Sequence, residues 1–253
     1  PYLSNATAAR HFWMTPTTGW SPRTCTVFNS QVSSNSPAAQ LLAKTIKLAL
    51  EDHTSAPHRL ALDDLLGTVH ESGRYPPTAD NLHSIPYAAV ISGLDDVSVH
   101  AWIRQAIIDP RRRKYLVSGM WGLHGMASTM DLRARLTRQC EQSSECLFTD
   151  LGFFRPHESH TDVVQAVKLD SVFCLEPTGD TPSRKGIVDS IVAGCIPVLF
   201  SPLQMMLWPW HVSRWEDVAV FIEGFGGQGD LDVVALLTQV PEAEVARLRG
   251  NMA

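Results

Sequence analysis

Arg184 and Lys185 stand side by side behind a Gly179-Asp180-Thr181 turn and Ser183, and a carboxylate, Asp189, follows four residues after Lys185. This set suits a ligand that is anionic at one end and rich in hydroxyls at the other. The guanidinium and the ammonium can neutralise a phosphate or diphosphate, the arginine as a flat two-pronged donor and the lysine as a point charge. Thr181 and Ser183 can donate from their hydroxyls, and Asp189 can accept from sugar hydroxyls. Asp180 can organise the turn through backbone hydrogen bonds or cap a following helix. Gly179 lets the backbone turn close to a ligand. Plain structural uses compete with these: an Arg-Lys pair on a solvated surface, and an Asp that only complements a helix dipole.

The flanking residues supply the elements that would position this set. Val172 to Leu175 is apolar enough for a buried strand, and Pro177, Gly179 and Pro182 break the chain into a loop. Ile187 to Ala193 reads as a short helix with Gly194 at its end, and Ile196 to Phe200 as a second strand. That order is one βαβ unit of a parallel sheet, where ligands sit beyond the carboxyl ends of the strands and a helix amino end favours phosphate. Around it, Tyr115–Ser118, Cys146–Thr149 and Val218–Ile222 read as strands. Asp131–Cys140, with Leu132 and Leu136 inward, Asp162–Val167, Leu231–Leu237 and Glu242–Arg249 read as helices. The alternation implies a parallel sheet covered on both faces. Further upstream the spacing predicts a strand at His11–Met14, a short apolar run at Ile85–Ile91 and a helix at Asp95–Ile108. Leu41, Leu42, Thr45, Ile46 and Ala49 predict an amphipathic helix over Ala38–Leu50. Pro110, followed by Arg111, Arg112, Arg113 and Lys114, is the sharpest composition break. It divides the chain into an expected partial lobe, 1–109, and a second lobe, 110–253.

The stretch FCLEPTGDTPSRKGIVDSIVAGCIPVLFS resembles the signature of the exostosin-type glycosyltransferases, in Phe173-Cys174-Leu175, Gly179-Asp180-Thr181, Asp189 and Gly194 to Val198. Weaker similarity lies at His11-Phe12, Ile85-Pro86-Tyr87, Arg113 to Gly119, Leu132-Arg133 to Cys140 and Trp215. The resemblance spans residues 10 to 245, with its specific motifs in the C-terminal half. It implies an α/β protein of two Rossmann-like lobes (GT-B type), the N-terminal lobe incomplete. It also implies inverting transfer of a sugar from a nucleotide donor, UDP-linked, onto a glycan. The donor site would comprise Arg113, Gly179, Asp180, Thr181, Ser183, Arg184, Lys185 and Asp189, with Asp189 on the ribose. Relatives commonly show two arginines where this chain has Arg184-Lys185. The partners implied are a glycan acceptor and a nucleotide sugar, with homo- or hetero-oligomers of related glycosyltransferases. The location implied is the Golgi lumen, within a type II membrane protein whose anchor this chain lacks. No Asp-x-Asp motif sits beside the signature, so no metal ligands and no obligatory cofactor are expected. A non-catalytic exostosin-like subunit supporting a partner enzyme is the alternative, and an unrelated Rossmann-type enzyme a further one.

Inverting transfer needs a base for the acceptor hydroxyl. His11 is the N-terminal candidate, though it is also readable as a structural histidine. Relatives carry an acid near this His-Phe, whereas residues 10–19 here contain none. Glu223, after the last strand, is another acid. Gly119 and Gly122 would let the loop after Tyr115–Ser118 approach a ligand. Arg133 opens a helix where the dipole does not favour a cation. Of Trp208, Trp210 and Trp215, packing is expected for two.

The 253 residues, 44% hydrophobic, suffice for a sizeable core. The net charge of −5 gives no basic excess for nucleic acid. No run of 18 apolar residues exists to cross a membrane as a helix. The chain opens at Pro1 without an initiator Met, as expected of a piece of a longer protein. Five cysteines are too few for a disulfide-built scaffold. Cys174 and Cys195 are expected as buried free thiols. Cys140 and Cys146, flanking Glu141 to Glu145, have their pairing left open.

Overall fold

The computed structural model describes residues 12–15, 46–49, 82–84, 86–87, 96–108, 113–123, 127–152, 160–179, 182–209, 211–223 and 231–253. The chain divides into two compact units, residues 1–86 and 87–253.

In the first unit, β1 (Phe12–Thr15), β2 (Ile46–Ala49) and β3 (Leu82–Ser84) form a parallel sheet with β2 central. The strand expected at His11–Met14 is β1, one residue on. The helix expected over Ala38–Leu50 is not formed at 46–49. There the backbone pairs with β1 on one side, Phe12 opposite Ile46, and β3 on the other, Lys47 opposite Leu82. A short apolar run fits a central parallel strand as well as a helix, and pairing on both edges decides it. The described strand near Ile85–Ile91 lies just upstream, at Leu82–Ser84.

The second unit begins with α1 (Asp96–Trp102), which continues as a π-helical turn over Ile103–Ile108. There follow β4 (Tyr115–Trp121), α2 (Ala127–Glu141), β5 (Cys146–Asp150), α3 (His160–Leu169), β6 (Ser171–Leu175), α4 (Lys185–Val192), β7 (Ile196–Leu199), β8 (Val220–Phe221), α5 (Val233–Thr238) and α6 (Glu242–Gly250). All five strands are parallel, in the order β5-β4-β6-β7-β8. The chain steps from β4 to β5 on one side, then crosses back to β6 on the other. The order therefore reverses between β4 and β6. In open α/β sheets the ligand crevice lies at the carboxyl ends of the strands at that point.

Both faces of the sheet are covered. Val117, Phe173, Ile196 and Val198 are wholly buried with Leu136 of α2, Leu237 of α5 and Leu248 of α6. Ile187 of α4 packs with Leu199, Leu207, Trp208, Trp215 and Ala219. Each such side chain contributes roughly 1.5–3 kcal/mol by leaving water, and Phe173→Ala would cost about 3–5 kcal/mol. Helix α4 ends as its sequence suggests. Gly194 takes a left-handed φ of 63°, its N–H bonds Ile191 O at 2.9 Å, and Cys195 N–H bonds Ser190 O at 2.9 Å. This is the Schellman stop that glycine allows without a Cβ penalty. A Cβ at Gly194 would also sit 2.7 Å from Ala106 O.

The composition break at Pro110 lies inside the second unit. Residues upstream of it belong there because Trp102 Nε1 donates to Val192 O at 2.8 Å, and Ala106 O accepts from Arg113 Nη2 at 2.7 Å.

The cysteines correct one expectation. Cys174 and Cys195 are buried but are not free thiols; they form a disulfide. Cys174 lies in β6 and Cys195 just before its neighbour β7, so their Cα atoms are 5.7 Å apart, within disulfide span. Cys140, in the last turn of α2, is bonded to Cys146 at the start of β5, with Cα atoms 4.8 Å apart.

Candidate functional site

The segment after β6 leaves the carboxyl edge of the sheet beside the reversal of strand order. Its start is pinned by the backbone, Glu176 N–H donating to Val198 O at 2.9 Å. Gln204, wholly buried, then ties two strand exits together. Its Nε2 donates to Glu176 O at 2.8 Å, and its Oε1 accepts from Phe200 N at 2.9 Å and Ser201 N at 3.1 Å. Arg184 closes the far end, Nη1 donating to Pro177 O at 3.1 Å.

Arg184 is also the residue at which α4 starts. Its backbone is extended (φ −141°), and its side chain makes no capping bond to the helix amides. The amino end of α4 thus presents N–H donors that its N-cap residue, Arg184, does not cap, with the dipole behind it. Arg184 is half-buried and has no carboxylate partner among the described residues. Lys185 is engaged: its Nζ lies 2.8 and 2.7 Å from the two oxygens of Asp189. The lysine side chain is 46% exposed and the aspartate 6%. The pair stands one helical turn deep at the same edge, with the ammonium outward.

Beneath the loop lies a polar cluster that sequence reasoning missed. Lys168, from the last turn of α3, reaches Glu176 Oε1 at 2.6 Å, Ser190 Oγ at 2.7 Å and Gly186 O at 3.2 Å. Ser190 Oγ lies 2.8 Å from both Glu176 Oε1 and Gly186 O. The Lys168 and Glu176 side chains are 4% and 3% exposed. The available signal was Glu176 itself, a charged residue directly at the end of a buried strand.

The structure therefore gathers Gly179, Ser183, Arg184, Lys185 and Asp189 around one strand exit and one helix start. Asp180 and Thr181 fall between them, outside the described residues, as does His11. Arg113 goes to the other end of the sheet. It precedes β4, and its guanidinium donates to the carbonyls of Lys168 (2.9 Å), Ser171 (2.8 Å), Ala106 (2.7 Å) and Ala193 (2.9 Å). These carbonyls close α3, start β6 and close α4, all at the amino edge, so Arg113 clamps element ends away from the switch point. Arg133 is buried in α2 and donates to Gly122 O at 3.0 Å, holding the exit of β4. Gly119 is tightly covered by the Trp121 ring. Trp208 and Trp215 pack together, ring centroids 5.9 Å apart, and Trp210 lies outside the described residues. Glu223 is exposed just past β8, the far edge strand.

Gly224-Phe225-Gly226-Gly227-Gln228-Gly229 has the Gly-x-Gly-x-x-Gly spacing of dinucleotide sites. It follows the edge strand β8, and no further strand comes after it in the described sheet, so the βαβ context that gives the motif meaning is absent. Among the described residues no cluster of His, Cys, Asp and Glu could hold a metal ion.

Comparison with known proteins adds lineage to this geometry. A family model described as the exostosin GT47 domain matches residues 9–225. A probable xyloglucan galactosyltransferase GT13 of Arabidopsis thaliana is 32% identical over 176 residues, 68% of this chain and 37% of that protein. The xyloglucan galactosyltransferase MUR3 of the same plant is 29% identical over 181 residues, 70% of this chain and 28% of that protein. Its xyloglucan-specific galacturonosyltransferase 1 is 33% identical over 136 residues, 52% of this chain and 19% of that protein. The chain spans well under half the length of these relatives. With most of its length matched by the domain and its signature loop at the sheet's switch point, the chain belongs to the exostosin GT47 domain family.

Proposed function

We propose that the chain is the donor-binding part of an inverting glycosyltransferase that moves a hexose from a UDP-sugar onto a glycan of the xyloglucan class. The observation that carries this reading is the amino end of α4: not capped by the side chain of its N-cap residue, flanked by Arg184 and Lys185, at the carboxyl edge of the parallel sheet beside its reversal of strand order. The acceptor class and the galactose-related sugars follow the relatives' names.

The reaction would be a direct displacement. A base takes the acceptor hydroxyl proton, and the acceptor oxygen bonds to the anomeric carbon from the face opposite the diphosphate. The carbon–oxygen bond to the diphosphate breaks, and its electron pair leaves on the phosphate oxygen. Arg184, Lys185 and the α4 amides meet the charge that develops there. Asp189 accepts from the ribose hydroxyls. The base would be His11 or an acid such as Glu223. With cations and amides on the diphosphate, no metal is obligatory. The first unit's parallel sheet fits an acceptor-side lobe of a GT-B pair. Two disulfides fit an oxidising compartment such as the Golgi lumen, where homo- or hetero-oligomers with related enzymes would form.

The test is calorimetry of the full-length protein with uridine, UDP and UDP-galactose, followed by transfer to a xyloglucan oligosaccharide. UDP binding with transfer supports the reading; absence of UDP binding defeats it. The missing acid in residues 10–19 favours a second reading, a non-catalytic subunit. That reading requires UDP binding without transfer and co-purification with an active relative.

A further inference from the structure

Resting on the reading that the loop after β6 holds a diphosphate, we propose that Lys168, Glu176 and Ser190 are positioning residues: a buried ionic brace that fixes the exit of β6 against the first turn of α4 and so sets the shape of the loop between them. Glu176 is the first residue past β6, and Gly186 is the second of α4. The Lys168 ammonium spans them, one bond to Glu176 Oε1 and another to Gly186 O, and its third proton goes to Ser190 Oγ. All three lysine donors are used. The Ser190 hydroxyl, accepting from Lys168, has one proton to give, to Glu176 or to Gly186 O, both 2.8 Å away.

Two further observations support a positioning role. A Cβ at Gly186 would run into the Glu176 carboxylate, so the brace closes only over a residue without a side chain. Burying an ion pair rarely stabilises a fold more than apolar packing in the same volume would. What directional bonds add is a fixed distance between loop start and loop end. Arg184 Nη1 on Pro177 O and Gln204 Nε2 on Glu176 O tie the same loop from above and from the side. With the brace in place, Arg184 and the α4 amides are held ready for the anion before it arrives, which lowers the ordering cost of binding.

The experiment compares the full-length protein with Lys168→Met/Glu176→Met, in which an apolar pair replaces the ionic one, and with Ser190→Ala and Ser190→Thr. Hydrogen exchange of the amides in 178–187 is read without ligand, UDP affinity by calorimetry, and both substrate KM values in the transfer assay. For the double variant we expect melting near wild type, loop amides exchanging at least tenfold faster, unchanged protection in β4 and β7, and UDP bound at least fivefold more weakly. The donor KM rises while the acceptor KM stays. Ser190→Ala shows the same pattern more weakly, and Ser190→Thr, keeping the hydroxyl, restores it. A structural role alone would leave both KM values and loop exchange at wild-type levels in a well-folded double variant, and that result overturns the proposal. If the double variant does not fold, equal loop exchange in Ser190→Ala and wild type overturns it. Failure of the wild type to bind UDP sinks the donor-site reading, while the exchange comparison still decides the brace.

Discussion

Arg184 and Lys185 are neighbours in the chain with different commitments. Lys185 already faces a carboxylate, Asp189, whereas Arg184 has only a carbonyl, Pro177 O. On the proposed donor-site reading, an incoming diphosphate would therefore gain more from Arg184. A charge-assisted hydrogen bond is worth roughly 1.5–3 kcal/mol, so Arg184→Ala should weaken UDP binding about tenfold or more. Lys185→Ala should cost less, because its ammonium already shares its charge with Asp189. Asp189→Asn should weaken uridine and UDP alike. Calorimetry with uridine and UDP on the three variants separates these roles; equal and small effects from all three would mark the loop as scaffold. Arg113 behaves differently again. Its removal takes a charged donor from four backbone carbonyls in a buried place, Ala106 O keeping a long bond from Arg249 at 3.4 Å, so Arg113→Ala should destabilise by about 3 kcal/mol. Denaturant titration checks this, and the folded remainder should bind UDP as wild type does.

At the scale of elements, the strand–loop–helix–strand around the signature was legible because each piece carries its own local rule: an apolar run for β6 and β7, prolines and glycines for the loop, Gly194 for the helix stop. Gly194→Ala should cost about 1–2 kcal/mol from its left-handed backbone alone, with more from the crowding at Ala106 O. A melting curve shifted by less than a degree would contradict that. What was not legible depends on neighbours far along the chain. Ile46–Ala49 satisfies a helical spacing as well as a strand, and only pairing with Phe12–Thr15 and Leu82–Ser84 separates the two. Arg113 looked like a ligand-edge cation because its strand leads to the switch point. Which end of that strand it occupies, and that carbonyls from α1's continuation, α3, β6 and α4 converge on it, are facts of topology. Lys168 and Glu176, eight residues apart across a helix end and a strand, are a pair for the same reason.

For the molecule as a whole, both disulfides lie in the second unit, one at an outer strand and one beside the signature loop. Apolar surroundings alone read Cys174 and Cys195 as inert thiols. The pairing of β6 with β7 brings the two cysteines' Cα atoms within 5.7 Å of each other and makes them a crosslink instead, which joins β6 to the residue before β7 across a separation of 21 residues. A loop of that size restrains the unfolded chain by about 3 kcal/mol on the entropic account. In a protein of this size that corresponds to roughly 6–12 °C in melting temperature. Protein made in an oxidising compartment, denatured without reductant and treated with a thiol reagent, should leave all four of Cys140, Cys146, Cys174 and Cys195 unlabelled by mass spectrometry. After reduction all four should label, and the reduced protein should melt lower by more than that interval, because both crosslinks are lost. Cys174→Ser/Cys195→Ser should reproduce most of the loss, since the Cys140–Cys146 link closes a loop of only six residues' separation and restrains the unfolded chain less. Quantitative labelling of Cys174 and Cys195 before reduction would return them to the free-thiol state. It would also remove the main support for an oxidising compartment as the place where this chain folds.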